Sequence, residues 1–377
     1  MKKLPPLSLY IHIPWCIKKC PYCDFSSFQM KEKIPEKKYI NHLIKDLYND
    51  QKYFLDREIK TIFIGGGSPS LFSEKGIQFL INKIKENVSL STNAEITIEV
   101  NPNQTESNKI INYLNTGINR ISIGIQSFDS KLLKSIGRIH NSYDTKNVIN
   151  QLIKIPKINF NIDLMYGLPN QSIKQGILDL KTAINFHPKH ISWYQLTIEP
   201  KTLFFYKNPK LPSEESSWKI LQEGKKTLKK FDYKQYEISS YSKKGYQCQH
   251  NLNYWQYGDY LGIGCSAHSK ITKKNGDVIR IIKKNKIKKY MEEKYYIKKI
   301  EVIKKKKRVF EYFVNNFRLF KSISKKNFYE FTGIKPKTIS CKINEAKKKG
   351  FLNETKKYWY TTNNGKLFLN DLLEIFL

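Results

Sequence analysis

The chain has 377 residues, 40% of them apolar and 13% aromatic, enough for one large and one small domain and too much for global disorder. Sixty-seven basic against 33 acidic side chains give +34, but only six of the 67 are Arg, and Ile and Asn are also abundant. Without a local Arg cluster or a base-stacking module, that excess fits an A+T coding bias better than a phosphate-binding surface.

The first residues, MKKLPPLSLYIHI, carry two prolines and the early Tyr10 and His12, so they lack the apolar core of a signal peptide. No run of 18 apolar residues follows, so no membrane span is expected and the chain is expected to be cytoplasmic. Strand-like runs at 7–13, 61–64, 95–100, 120–125, 159–165 and 190–196 alternate with amphipathic stretches at 36–55, 73–87, 106–115 and 172–185. Ser73, Thr105 and Ser172 stand where helix caps belong. This order predicts an α/β fold, a partial (βα)6 barrel spanning 1–235, with functional residues at the C-terminal ends of its strands.

A helix is expected over 213–231, then a Tyr/Gly-rich stretch of irregular structure and short strands up to 268. Asn275-Gly276, inside the β-rich run 271–279, predicts a hairpin turn. We treat 236–300 as one region with a linker. From 301 to 377 the order changes: helices at 304–320, 325–331 and 337–349 precede strands at 350–353 and 358–362, with Gly365 before a final helix. That order is winged-helix-like. The basic run 304–308 reads as a solvated helix face.

Three of the six cysteines crowd into Cys16-Ile-Lys-Lys-Cys20-Pro-Tyr-Cys23, directly after the first strand. A 4Fe–4S cube held by four thiolates is coordinatively full, whereas three leave one iron open to a ligand. Structural zinc takes four ligands, commonly as paired C-x2-C knuckles, and no second pair is present. The C-x3-C-x2-C spacing, with aromatic Tyr22 before the third cysteine, resembles the radical S-adenosylmethionine (SAM) superfamily. Other strand ends agree. Ile64-Gly-Gly-Gly-Ser-Pro69 follows the second strand, and its glycines allow close backbone approach and offer amides to a carboxylate. Glu99 and Gln126 end the third and fourth strands, Arg138 lies in the loop after the fourth, and Asp163 nears the end of the fifth.

SLYIHIPWC, CPYCDF, FIGGGSPS, INRISIGIQSFD, GRIH, DLMYGLP, SWYQLTIEP and HNLNYW together make the whole chain similar to the oxygen-independent coproporphyrinogen III oxidase-like family, and within it to the heme-chaperone branch. The resemblance implies cluster ligands at Cys16, Cys20 and Cys23. It implies SAM contacts at Tyr10, Tyr22, Gly66, Gly67, Ser68, Glu99, Gln126, Arg138 and Asp163, with Ser68 in place of the more usual Thr. The family's oxidases place a fourth cysteine two residues after the third, where this chain has Phe25, and carry a longer segment ahead of the motif. Both departures speak against porphyrinogen decarboxylation and leave enzyme activity open.

His250-Asn-Leu-Asn-Tyr-Trp255 matches a motif associated with heme in the chaperone branch. Imidazole suits heme iron, and Tyr254 and Trp255 could pack on the macrocycle. His250 could equally only hydrogen-bond within an aromatic patch, and Cys248 is a second candidate ligand. Cys265 and Cys341 read as small buried hydrophobes. The expected cofactors are the 4Fe–4S cluster and SAM, with heme as cargo. The expected partners are apo-hemoproteins such as respiratory enzymes, an electron donor and a second copy in a SAM- or heme-dependent dimer. Nucleic acid is the competing partner, on the strength of the charge and of Lys335, Lys337, Lys342, Lys347, Lys348 and Lys349 around the possible recognition helix.

Overall fold

The structure, a computed structural model, describes residues 4–102, 109–292 and 295–377. Thr105 and residues 106–108 of the expected 106–115 helix lie outside the described residues. Six strands follow one another side by side and pair in parallel: β1 (Leu7–Ile13), β2 (Ile59–Gly66), β3 (Leu90–Val100), β4 (Arg120–Gln126), β5 (Phe160–Tyr166) and β6 (His190–Gln195). This is the partial barrel expected of the pattern.

The strands alternate apolar and polar residues, with a break in β2 between Ile59 and Thr61. Leu9, Ile11, Ile62, Ile64, Ile98, Ile121, Ile123, Ile162, Leu164 and Ile191 are fully buried on one face. They share a core with Tyr39, Leu43, Ile77, Leu80, Ile149 and Leu180 of the flanking helices. Burying each Leu or Ile contributes about 1.5–3 kcal/mol, so this face holds the sheet to its helices. The opposite face carries Tyr10, Phe63, Glu99, Ser122, Asp163 and Ser192 instead, and the register places Glu99 beside Ser122, and Asp163 beside Ser192. Helices Glu74–Asn87 and Ile173–Asn185 begin on Ser73 and Ser172, whose side chains accept from the Gly76 and Gln175 amides. Both caps stand where the sequence placed them.

Beyond β6 the sheet grows at both ends, through β7 (Lys234–Glu237), β8 (Ser240–Ser242), β9 (Asp259–Ile263), β10 (His268–Thr272), β11 (Val278–Lys283) and β12 (Ile297–Val302). Among the described residues it has twelve strands in the order β12-β11-β10-β9-β1-β2-β3-β4-β5-β6-β8-β7. The sequence hid one pairing: β9 joins β1 in parallel, Leu7 opposite Asp259, across some 250 residues of chain. Buried Asp259 is neutralised there by Arg57 at 2.9 Å and Lys270 at 2.7 Å. The β10–β11 hairpin turns at Asn275-Gly276 as expected, with Gly276 at φ +88°.

A second core gathers Phe313, Phe328, Trp359 and Phe376. Around it lie helices Lys305–Asn316, Lys325–Thr332 and Ser340–Lys348 and a small sheet of Ile323–Ser324, Leu352–Glu354 and Tyr358–Thr361, the winged-helix-like order. Three arginines join this unit to the large sheet. Arg308 donates to the carbonyls of Ile303, Gly276 and Thr332; Arg280 bridges Tyr260 and Glu311; Arg318 pairs with Glu237 at 3.2 Å. Cys265 is buried as expected, but Cys341 is exposed, because its position on the Ser340–Lys348 helix faces away from the core that Ile343 and Ala346 join. Among the described residues no helix is long and apolar enough to cross a membrane.

Candidate functional site

The polar face of the strands opens at their C-terminal ends into a cavity of about 500 Å³. Cys16, Cys20, Cys23, Tyr22, Gly66, Gly67, Ser68, Glu99, Gln126, Arg138 and Asp163 all line it. Residues from five strand ends or the loops after them thus converge on one space, as the barrel rule requires.

The cysteine loop is closed at its base by a two-residue pairing of Trp15–Cys16 with Phe28–Gln29, and the Cys23 amide donates to the Cys20 carbonyl at 3.1 Å. Burial raises the thiol pKa values of Cys16 and Cys23; Cys23 and Cys20 raise Cys16 further, and Cys20 raises Cys23 further. Among the described residues no three His, Cys, Asp or Glu side chains converge on a single-ion site. A cube does not need that convergence, since each thiolate takes its own iron. Phe25 lies on the cavity with 59% of its surface exposed.

The glycines are explained by contact. A Cβ on Gly67 would stand 2.3 Å from the Trp15 carbonyl oxygen, and one on Gly65 would stand 2.8 Å from Glu99 Oε2; Gly66 has φ +117°. The amides are not free for a ligand carboxylate, contrary to the expectation from sequence. Gly66 N donates to Glu99 Oε2 (3.1 Å), Gly67 N to Ile13 O (2.7 Å) and Ser68 N to Trp15 O (2.6 Å). The segment is welded to the end of β1 and brings its backbone, not its donors, to the cavity.

Two half-buried carboxyl groups, on β3 and β5 either side of β4, line this space. Burial, then the Asp163 charge, pushes the Glu99 carboxyl up to about 7. Asp163 is raised too, by burial, though it accepts from Ser122 Oγ (3.0 Å) and Asn161 Nδ2 (2.7 Å). Arg138 donates to Asn101 Oδ1 (2.7 Å) and the Gly124 carbonyl (2.6 Å), and its Nη1 lies 3.8 Å from Cys20 Sγ. Asn101 in turn donates to Ser68 Oγ at 2.6 Å. Gln126 ends β4 at φ +70°, strained for a residue with a side chain, and accepts from the Tyr194 hydroxyl (2.9 Å).

Two of the predicted residues stand off the cavity. Tyr10 packs beside Phe63 with its hydroxyl 2.9 Å from His12 Nδ1, and burial, then Glu99, raises its pKa. His250 is 2% exposed on the helix Gln249–Trp255, whose cavity side is formed by Asn251 and Trp255. Glu95 anchors the start of that helix, accepting from the amides of Gln249 (3.2 Å) and His250 (3.0 Å) and from the Cys248 thiol (3.6 Å). Cys248 is wholly buried, and burial pushes its thiol up to about 12.

The tautomer of His250 follows from its partners. Thr61 Oγ1 lies 2.8 Å from both Ser8 Oγ and His250 Nδ1; with Thr61 donating to Ser8, Nδ1–H donates to Thr61 and the lone pair is left on Nε2. Nε2 has no hydrogen-bond partner among the described residues and is buried between Phe63 and Tyr254. Burial, then Arg120, lowers the imidazole pKa to about 3, so the ring stays neutral.

Sequence reasoning missed the residues beneath the cavity. Asp163 is bonded to Asn161, Asn161 Oδ1 lies 2.6 Å from His190 Nδ1, His190 Nε2 lies 2.7 Å from Tyr236 Oη, and Tyr236 Oη accepts from the Cys248 amide (3.2 Å). Hydrogen bonds thus run from the cavity floor to the start of the His250 helix. Their sequence signal was the period of two: Ser122, Asn161 and Ser192 share the face of Glu99 and Asp163.

Comparison with known proteins gives consistent matches. The model of the radical SAM superfamily matches residues 10–180, and that of the HemN C-terminal domain matches 303–368. Curated proteins named heme chaperone HemW are 54% identical in Buchnera aphidicola from Schizaphis graminum and 47% identical in Escherichia coli, both over all of this chain and all of theirs. One from Bacillus subtilis is 30% identical over 98% of this chain and 99% of its own. Among solved structures, coproporphyrinogen III oxidase (HemN) from Escherichia coli has a TM-score of 0.83 at 21% identity, covering 99% of this chain and 90% of that one, a likeness of fold.

Proposed function

The chain belongs to the heme chaperone HemW family of the radical SAM superfamily, and from that premise we propose that it binds heme and hands it to apo-hemoproteins such as respiratory enzymes. Cys16, Cys20 and Cys23 would hold a 4Fe–4S cluster, and SAM would lie between it and Glu99. When bound, such a cluster supplies one electron for reductive cleavage of the sulfonium. The donor set fits: three thiols line the cavity, while Phe25 stands where the oxidases have a further cysteine. We take the chain to act in the cytoplasm, where thiols stay reduced.

The chain's own residues then have separable tasks. Glu99, poised to ionise near neutral pH, accepts hydrogen bonds from the ribose hydroxyls or amino group of SAM. Arg138 holds Asn101 and the Gly124 carbonyl in place beside Cys20 and keeps a positive charge near the thiolates. Tyr22, braced on Phe204, offers a ring face to the adenine.

The observation that carries the heme reading is His250 Nε2. It is a buried imidazole nitrogen with a free lone pair, no partner and a second-nitrogen hydrogen bond that fixes its tautomer, the arrangement a metal-ligating histidine needs. In the form described here Phe63 and Tyr254 flank it, so heme reaches it only when the Gln249–Trp255 helix moves out. The test is anaerobic reconstitution followed by hemin, measuring retained heme and the Soret band for the parent chain and His250→Ala. Retention by the parent and its loss or spectral change in His250→Ala are expected. A parent chain that retains no hemin overturns the function; full retention with an unchanged spectrum in His250→Ala overturns the ligand.

A further inference from the structure

Lys19 sits between the first two cysteines, where a lysine would ordinarily extend into solvent. Its ammonium instead folds back over the loop and donates to the carbonyls of Phe25 (2.8 Å) and Ser27 (3.3 Å). The carbonyl between them, Ser26 O, lies 3.0 Å from His12 Nε2. Three successive carbonyls just past Cys23 are thereby held, two by one ammonium and one by an imidazole on β1. The Ser27 amide donates to Phe25 O at 2.7 Å, which tightens the same turn.

The clamp is placed to act on the cysteines. Lys19 lines the cavity with all three cysteines. A cluster on three thiolates carries net negative charge, and reduction adds one more electron; a fixed cation nearby favours the reduced form. Lys18, one residue away, is exposed like Lys19 and lines the same cavity, so it provides the same charge on the same loop without the hydrogen bonds to Phe25 and Ser27.

We propose that Lys19 is a positioning residue for the cluster, clamping residues 25–27 so that the cysteine loop keeps its shape on the cavity and supplying the positive charge that raises the cluster's reduction potential. The proposal rests on the cluster assignment above. It adds a determinant of the electron's energy that none of the three cysteines supplies.

The test uses the full chain, anaerobically reconstituted, as parent, Lys19→Gln, Lys19→Arg and Lys18→Gln. Each is titrated electrochemically without SAM, following the reduced cluster by electron paramagnetic resonance. Lys19→Gln is expected to shift to a more negative potential, Lys19→Arg to stay near the parent, and Lys18→Gln to shift less than Lys19→Gln. An unshifted Lys19→Gln, or equal shifts in Lys19→Gln and Lys18→Gln, overturns the proposal. Should Lys19→Gln take up no iron, hydrogen exchange of the cluster-free chains decides. Faster exchange confined to residues 16–30 supports the clamp, and unchanged exchange overturns it. A parent chain that takes up no cluster would instead overturn the proposed function.

Discussion

The cysteine loop and the His250 helix both carry side chains proposed to bind iron, yet the fold treats them in opposite ways. Cys20 and Cys23 are partly exposed on an open cavity, on a loop stapled by Lys19, His12 and a two-residue strand pairing. His250 is sealed, and Nε2, the nitrogen proposed as a ligand, is flanked by Phe63 and Tyr254. A site built for a resident group is open and rigid. A site for a group that must later leave is prepared and covered, and its occupancy is then set by a conformational step as well as by affinity.

Four experiments break or sharpen that contrast, in descending order of expected effect. Replacing Cys20 by Ala should abolish iron and sulfide uptake altogether while leaving hemin retention in place, because His250 shares no side-chain contact with the loop. Parallel iron analysis and hemin titration would show it, and joint loss would make the two regions one site. Next is Gly67→Ala, which drives a methyl group into the Trp15 carbonyl at 2.3 Å. A loss of about 3 kcal/mol is expected, read by denaturant unfolding of the cluster-free chain.

Thr61→Val removes the acceptor that fixes the His250 tautomer. It leaves a buried N–H unpaired, at about 2 kcal/mol in stability, and should alter the Soret band of the hemin complex. The smallest effect is a pH dependence. With Glu99 raised to about 7 and proposed to hold SAM as its anion, affinity should fall about tenfold between pH 8 and pH 6, measured by calorimetry. The sign for stability is opposite. A carboxyl whose folded pKa is raised stabilises the unliganded chain only at low pH, and that contribution disappears as pH rises through about 7. Glu99→Gln should flatten both profiles.

Much of this was legible beforehand, and for a local reason. Apolar alternation wrote the six strands, and residues at or just past strand ends, such as Glu99, Gln126, Arg138 and Asp163, fall on one rim once the strands run parallel. What stayed hidden was non-local. Nothing near Asp259–Ile263 announces that it lies against β1, because its buried Asp259 is made tolerable only by Arg57 and Lys270, far away in sequence. The amides of the glycine segment looked available until β1 was found to occupy them. Whether His250 was a ligand or only hydrogen-bonded within an aromatic patch stayed open because its partner Thr61 is 189 residues distant. Nothing in the sequence set Lys19 apart from the other lysines.

The six arginines carry a lesson of their own. Arg57, Arg280, Arg308 and Arg318 each bridge the chain to itself, Arg138 braces the cavity wall, and Arg120 is 2% exposed beneath the cavity, 4.0 Å from Glu95. A planar fork satisfies several acceptors at fixed angles, which a single ammonium does not. In a chain with 61 lysines and only six arginines, the arginines stand at positions where the side chain is held inside the structure rather than in solvent. Skewed composition of this kind works as a stencil: whatever it leaves unpainted marks where geometry outweighs charge.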